Sequence, residues 1–203
     1  MADDPKIKKQ SSLNSTTILS FATLLRKVAV DTESAHNNYP VHIGRRMVPK
    51  RFPPMTKLYI PYFNESLKKA IHEGESEKIQ VYIRALGNTG HPSILQILEP
   101  YLEGQKNVSE FQRILMVLAL DKLVYIQPQI ARPVLYNLYQ NTAESHKVRS
   151  AAVALLMKTN PPLVMLQRMA EFTNTDPHQQ VISLVQSAIK SAAALEDPYN
   201  IEL

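Results

Sequence analysis

The sequence predicts an all-α fold: an α-solenoid, or two-layered α–α superhelix, of stacked helical hairpins. Three observations carry that reading. From residue 61 onward, helix-start signals recur every 15 to 19 residues. Most are matched by a stop signal about one helix length later. Strand signals, meaning alternation bounded by Asn-Gly or Asp-Gly turns, are missing.

The elements follow in order. Residues 1–15 are polar and lysine-rich, and are expected to fray. Between Ser15 and Val30, the residues Ile18, Leu19, Phe21, Leu24, Leu25 and Val28 form a helical stripe. Arg26 and Lys27 near its end complement the helix dipole. From Ser34 to Asn64 there is no acidic residue, and Pro40, Pro49, Pro53, Pro54 and Pro61 forbid a continuous helix. Residues 1–60 therefore read as a basic, proline-rich segment with one helix (about 15–30) and an extended loop. Residues 61–203 read as the superhelix domain.

Within that domain, helices are expected to start near Pro61, Ser76, Pro92, Ser109, Pro128, Ser145, Pro161 and Pro177. Asn160-Pro161 and Asp176-Pro177 place a capping side chain before a proline at the first helical position. Ser109 with Gln112, and Asp176 with Gln179, fit capping boxes. Gly74, Gly87 with Gly90, Gly104, Asn141 and Asn160 supply the stops. Paired, these helices make four hairpins of about 32–35 residues, each needing a neighbour to cover its second face. Glu110–Val124 and Val148–Lys158 are apolar nearly all round, as an inner layer requires, whereas Ser76–Leu86 is amphipathic.

Composition excludes several functions. With no Cys there is no disulfide framework, iron–sulfur cluster, thiol nucleophile or Cys-ligated zinc. Five glycines leave no Gly-rich nucleotide loop. Of the histidines His36, His42, His72, His91, His146 and His178, no two lie at i, i+4 on an expected helix, so no metal site is expected. His91 and His178 flank helix-starting prolines and suit capping or surface roles. Glu144-Ser145-His146 superficially offers a catalytic triad. Neighbours on one helix point about 100° apart, however, and a polar helix start explains them better. No catalytic residue and no cofactor is expected.

The N-terminus lacks the apolar run of a secretory signal. The longest apolar runs, Ile114–Leu120 and Ala151–Met157, are far short of the roughly 20 residues that span a bilayer. The chain is expected to be soluble.

The formal charge of +5 is unevenly placed: residues 1–60 carry ten Lys/Arg against four Asp/Glu, and the remainder thirteen against fourteen. Arg45, Arg46, Lys50, Arg51 and Lys57 lie close together, with Phe52 and Tyr59 beside them. Such a stretch suits nucleic-acid phosphates, anionic membrane or an acidic receptor surface. It equally suits a solvated linker that its own charge keeps extended. Lys50-Arg51 is also a dibasic step open to a trypsin-like protease. Asn14, Asn64 and Asn107 each begin an Asn-x-Ser/Thr glycosylation sequon. Asn107 falls in an expected loop, and Asn64 doubles as a capping residue.

Longer segments carry a resemblance. Pro61-Tyr-Phe-Asn-Glu-Ser-Leu-Lys-Lys-Ala70, Lys78-Ile-Gln-Val-Tyr-Ile-Arg-Ala-Leu-Gly-Asn-Thr-Gly-His-Pro92 and Ile97-Leu-Glu-Pro-Tyr-Leu-Glu-Gly104 resemble the insect vitellogenins. So do Leu155-Leu-Met-Lys-Thr-Asn-Pro-Pro162 and Met165-Leu-Gln-Arg-Met-Ala-Glu-Phe-Thr-Asn174, with colinear shorter matches between them. The resemblance covers nearly all of residues 60–195 and is looser before residue 60. It implies membership of the large lipid transfer proteins, with apolipoprotein B, lipophorin and the microsomal triglyceride transfer protein. It further implies a secreted egg-yolk precursor that carries lipid as cargo and is taken up through a low-density-lipoprotein-type receptor. In that architecture the helical superhelix wraps β-sheets of the same parent chain around a lipid cavity. The absence of Cys by itself points to a reducing compartment; the resemblance points instead to haemolymph and yolk. The chain lacks the family's signal peptide, β-barrel, sheet and von Willebrand-type regions, so it is expected to be an excised α-helical domain. Without its sheets the isolated piece is expected to self-associate or to bind hydrophobic dye.

Overall fold

The computed structural model describes residues 11–29 and 57–194. Among these residues every regular element is a helix. They fall into two compact units, Met1–Leu123 and Val124–Leu203.

The first unit holds α1 (Ser11–Ala29), α2 (Tyr59–Glu73), α3 (Ser76–Thr89), α4 (Ile94–Leu102) and α5 (Glu110–Leu118). Helices α2 and α3 pair as one hairpin and α4 and α5 as the next. The second helices of the two hairpins, α3 and α5, stack on one another, and α1 packs on α3. Stacking of this kind supplies the cover that a lone hairpin lacks. Ile18, Ala22 and Leu25 of α1 are buried, as are Phe63 and Leu67 of α2 and Ile83 and Leu86 of α3. Each large apolar side chain so buried contributes about 1.5–3 kcal/mol.

The local chemistry explains the ends. Gly74 takes the left-handed conformation (φ 70°) that closes α2. The amides of Gly74 and Glu75 donate to Ile71 and Ala70 in a Schellman motif. At α5, Ser109 Oγ accepts from the Gln112 amide while Gln112 Oε1 accepts from the Ser109 amide, so the expected capping box forms.

Gly87 lies inside α3 rather than ending it, and Gly90 (φ 58°) is the cap. The reason for glycine at 87 is steric: a Cβ there would sit 2.7 Å from the Ala119 carbonyl oxygen. At that same contact the helix expected to run unbroken from Ser109 is interrupted. It stops at Leu118, and a short α6 (Asp121–Ile126) follows.

The second unit holds α7 (Pro128–Gln140), α8 (His146–Lys158), α9 (Leu163–Phe172) and α10 (Gln179–Ala193). Helix α8 packs on both α7 and α10, and α9 packs on α10, repeating the pairing of the first unit. The near-continuous apolar character of α8 is thereby used: Val148, Ala152, Val153, Leu155 and Leu156 are all buried.

Four expected starts shift by two residues: α2 begins at Tyr59 rather than Pro61 and α4 at Ile94 rather than Pro92, and the remaining two lie in the second unit. Helix α9 begins at Leu163, because Asn160 takes a left-handed conformation (φ 49°) at the end of α8 instead of capping the next helix. The Arg132 guanidinium holds that end, donating to the carbonyl oxygens of Thr159 (2.7 Å) and Asn160 (3.2 Å). Helix α10 begins at Gln179 with His178 in the cap position, so the Asp176–Gln179 box does not form. The Asp176 carboxylate is engaged elsewhere.

Candidate functional site

The sequence-derived candidates are dispersed. Arg45, Arg46, Lys50 and Arg51 lie outside the described residues, and Lys57 is exposed in the turn that leads into α2. Asn14 sits in α1, and Asn64 lies within α2, five residues past its start, so Asn64 does not cap that helix. Asn107 is exposed in the loop between α4 and α5, as its sequence context predicts.

Ser145 is not poised as a nucleophile. Its Oγ accepts from the Lys147 amide (3.3 Å) as the cap of α8, and Glu144 Oε1 accepts from the Ser145 amide (2.9 Å). The His146 ring stacks on His178, 6.3 Å between centroids. No group of three or more potential metal ligands occurs among the described residues. His91 does take a capping role, its Nδ1 accepting from the Ser93 amide (3.2 Å). Burial holds its pKa below the ordinary imidazole value.

The most organised polar constellation is not among the sequence-derived candidates. Arg149, on the most deeply packed helix of the second unit, has a fully buried side chain. Its Nε donates to the Tyr139 carbonyl oxygen (2.7 Å) and its Nη1 to Asp176 Oδ1 (3.0 Å). Nη2 donates to Asp176 Oδ2, completing a bidentate pair. Nη1 also lies 3.1 Å from His178 Nδ1, which must act as an acceptor there because guanidinium can only donate. The Tyr139 ring lies 5.8 Å from the guanidinium carbon, and its hydroxyl donates to Met169 O.

Burial pushes the Asp176 carboxyl upward. The Arg149 hydrogen bonds, the His178 amide and the neighbouring positive charge outweigh that, and the pKa settles below the ordinary carboxylate value. Burial, and then the Asp176 charge, push the Tyr139 phenol well above its ordinary value. The network spends the buried charges of Arg149 and Asp176 on one another. It ties α7, α8 and the loop before α10 together.

The surfaces available to partners are of two kinds. Phe111 and Leu118, seven residues apart on α5, are exposed in the first unit. Tyr125, Ile130, Leu163 and Val164 are exposed in the second, with Lys158 Nζ 5.8 Å from the Tyr125 ring. The second kind is polar: a shallow depression of about 450 Å³ runs along one face of α10, lined by Ser183, Gln186, Ser187 and Lys190. No helix among the described residues is long and apolar enough to cross a membrane.

Comparison with known proteins gives these surfaces a context. The model of the vitellogenin TPR domain matches residues 1–190. Vitellogenin-2 of Periplaneta americana is 48% identical over 202 residues, which is all of this chain and 11% of that protein. Vitellogenin-A1 of Aedes aegypti is 48% identical across 93% of this chain and 9% of its own length. The vitellogenin of Anthonomus grandis is 44% identical over the whole chain. The chain thus spans about a tenth of the length of these relatives. A solved structure describing lipid–protein interactions in lipovitellin superposes on 99% of this chain and 19% of its own, with a TM-score of 0.78 and 18% identity. That likeness establishes the fold as the all-α array of stacked hairpins that the spacing predicts.

Proposed function

The chain belongs to the vitellogenin family, whose TPR domain it matches almost throughout, and we propose that it is the α-helical domain of an egg-yolk precursor lipoprotein serving lipid transport and nutrient storage. The observation that carries this reading is identity near one half with vitellogenins along the entire chain. In the parent protein the domain backs onto β-sheet domains of the same chain and helps to enclose a lipid cavity. The exposed apolar side chains of α5 and α9 suit that task, because unpaired apolar surface gains free energy when a partner or lipid covers it. The parent is secreted into haemolymph and taken into oocytes through a low-density-lipoprotein-type receptor. Lipid is its cargo; the reading calls for no cofactor and no catalytic step.

The test is photo-crosslinking in the purified native parent loaded with a diazirine-bearing phospholipid. Labelled peptides from residues 110–118 or 163–172 support the reading. Labelling confined to other parts of the parent contradicts it.

The charge asymmetry favours a second reading for the basic segment alone, as a polyanion-binding element for nucleic acid, anionic membrane or an acidic receptor surface. Binding that falls steeply with salt and vanishes when Arg45, Arg46, Lys50 and Arg51 become Ala supports it. Salt-independent binding that survives those substitutions contradicts it.

A further inference from the structure

We propose that Asn107 carries an N-linked oligosaccharide and that Asn14 and Asn64, which begin the same sequon, stay unmodified. The inference rests on the reading of the parent as a secreted protein, because the modification belongs to the secretory route.

The three sequons are chemically alike: Asn14-Ser15-Thr16, Asn64-Glu65-Ser66 and Asn107-Val108-Ser109. The structure separates them. The acceptor amide must leave the protein surface bearing a bulky, fully hydrated chain, so its surroundings must be open on the side where the sugar grows. Asn14 lies in α1, and its Oδ1 is shut off from solvent without a hydrogen-bond partner. A sugar on the adjacent amide nitrogen would have to part the packing around it. Asn64 lies within α2, half-buried, between Phe63 and the residues leading to Leu67, both of which are core. Unwinding α2 to present it would expose those two side chains.

Asn107 differs on each count. It is exposed and belongs to no helix. The loop around it is held at both ends, so its outward presentation is built in. On one side the Lys106 amide donates to Pro100 O (3.0 Å), and Arg113 Nη2 donates to Leu102 O (2.7 Å). On the other, Ser109 caps α5. A glycan here adds mass to solvent without disturbing a packed face. It also requires the loop end of the α4–α5 hairpin to stay uncovered in the parent particle, so contacts with other domains must use other faces.

In the transfer step the Asn107 amide nitrogen attacks the anomeric carbon of a lipid-linked oligosaccharide pyrophosphate. The new C–N bond forms as the anomeric C–O bond breaks. The lipid pyrophosphate departs, and one amide proton passes to base. The step is redox-neutral.

The test uses the native full-length protein isolated from secreted fluid. Peptides are treated in ¹⁸O-water with peptide-N-glycosidase A, which converts a glycosylated Asn to labelled Asp and also accepts core-fucosylated chains. The expected result is label at Asn107 and none at Asn14 or Asn64. An unlabelled Asn107 in secreted protein overturns the inference and leaves the parent's proposed function standing, and label at either other site overturns the selection argued here. A parent recovered only from cytosol overturns both the inference and the reading beneath it.

Discussion

Arg149 and Asp176, 27 positions apart, form a bidentate ion pair whose side chains are 0% and 1% exposed. Charges this deep are tolerable only when fully paired, because desolvation of each costs several kcal/mol. A further donor, Nε, is spent on the Tyr139 carbonyl oxygen, so the guanidinium joins three parts of the second unit.

Removing one partner should therefore cost more than removing both. Arg149→Ala is expected to lower the unfolding free energy of the second unit by about 3–5 kcal/mol, since it strands a buried carboxylate. Arg149→Met combined with Asp176→Leu should lose markedly less. Denaturant unfolding of the three proteins checks this, and a double variant as unstable as the single one would contradict it.

The pair also sets an acid limit. The folded pKa of Asp176 lies below its ordinary value, so the carboxylate contributes stability that is fully present above its unfolded pKa of about 3.9. That contribution is lost as pH falls through the lower folded pKa. The stability gap between the native chain and Asp176→Asn should accordingly be constant near neutrality and shrink below about pH 4. Unfolding curves across that range measure it. A gap that widens as the solution is acidified would reverse the sign and refute the account.

Gly87 tests the packing of α3 on α5. Alanine is favoured over glycine by about 1 kcal/mol within a helix, yet the added Cβ meets the Ala119 carbonyl oxygen and Cα at 2.7 and 2.8 Å. Backbone cannot yield cheaply, so Gly87→Ala should destabilise by about 1–3 kcal/mol. Adding Ala119→Gly should not restore the loss, because the clash is mainly with main-chain atoms. Thermal unfolding of the single and double variants decides the point.

Ser109 has a capping role separable from its place in the sequon. In deglycosylated protein, Ser109→Ala should cost about 0.5–2 kcal/mol through loss of the bond from the Gln112 amide, while Ser109→Thr should keep most of it. Equal losses in both variants would show that the cap does not hold α5.

The helical period was legible because caps and prolines act locally. Ser109, Pro128 and Ser145 mark their helices within one residue. Two of the shifted starts are those where a distant arginine intervenes: Arg132 seizes the chain at Asn160, and Arg149 takes the carboxylate of Asp176. No local pattern reveals a partner 27 residues away. The interruption after Leu118 has a similar cause, since its contact, Gly87, belongs to another hairpin. For the candidate sites, the sequon at Asn107 could be placed in a loop from its neighbours alone. The half-buried surroundings of Asn14 and Asn64 arise only from packing. Arg149 offered one faint signal, a lone charge between Val148 and Ala152 on an otherwise apolar face.

The most direct test of the central claim is a cryo-electron-microscopy structure of the native, lipid-loaded parent protein. The account predicts that residues 59–194 back onto β-sheet of the same chain. It places the exposed side chains of α5 and α9 against that sheet or against lipid density, with the Asn107 loop open to solvent. Those helices standing free of both sheet and lipid would contradict it.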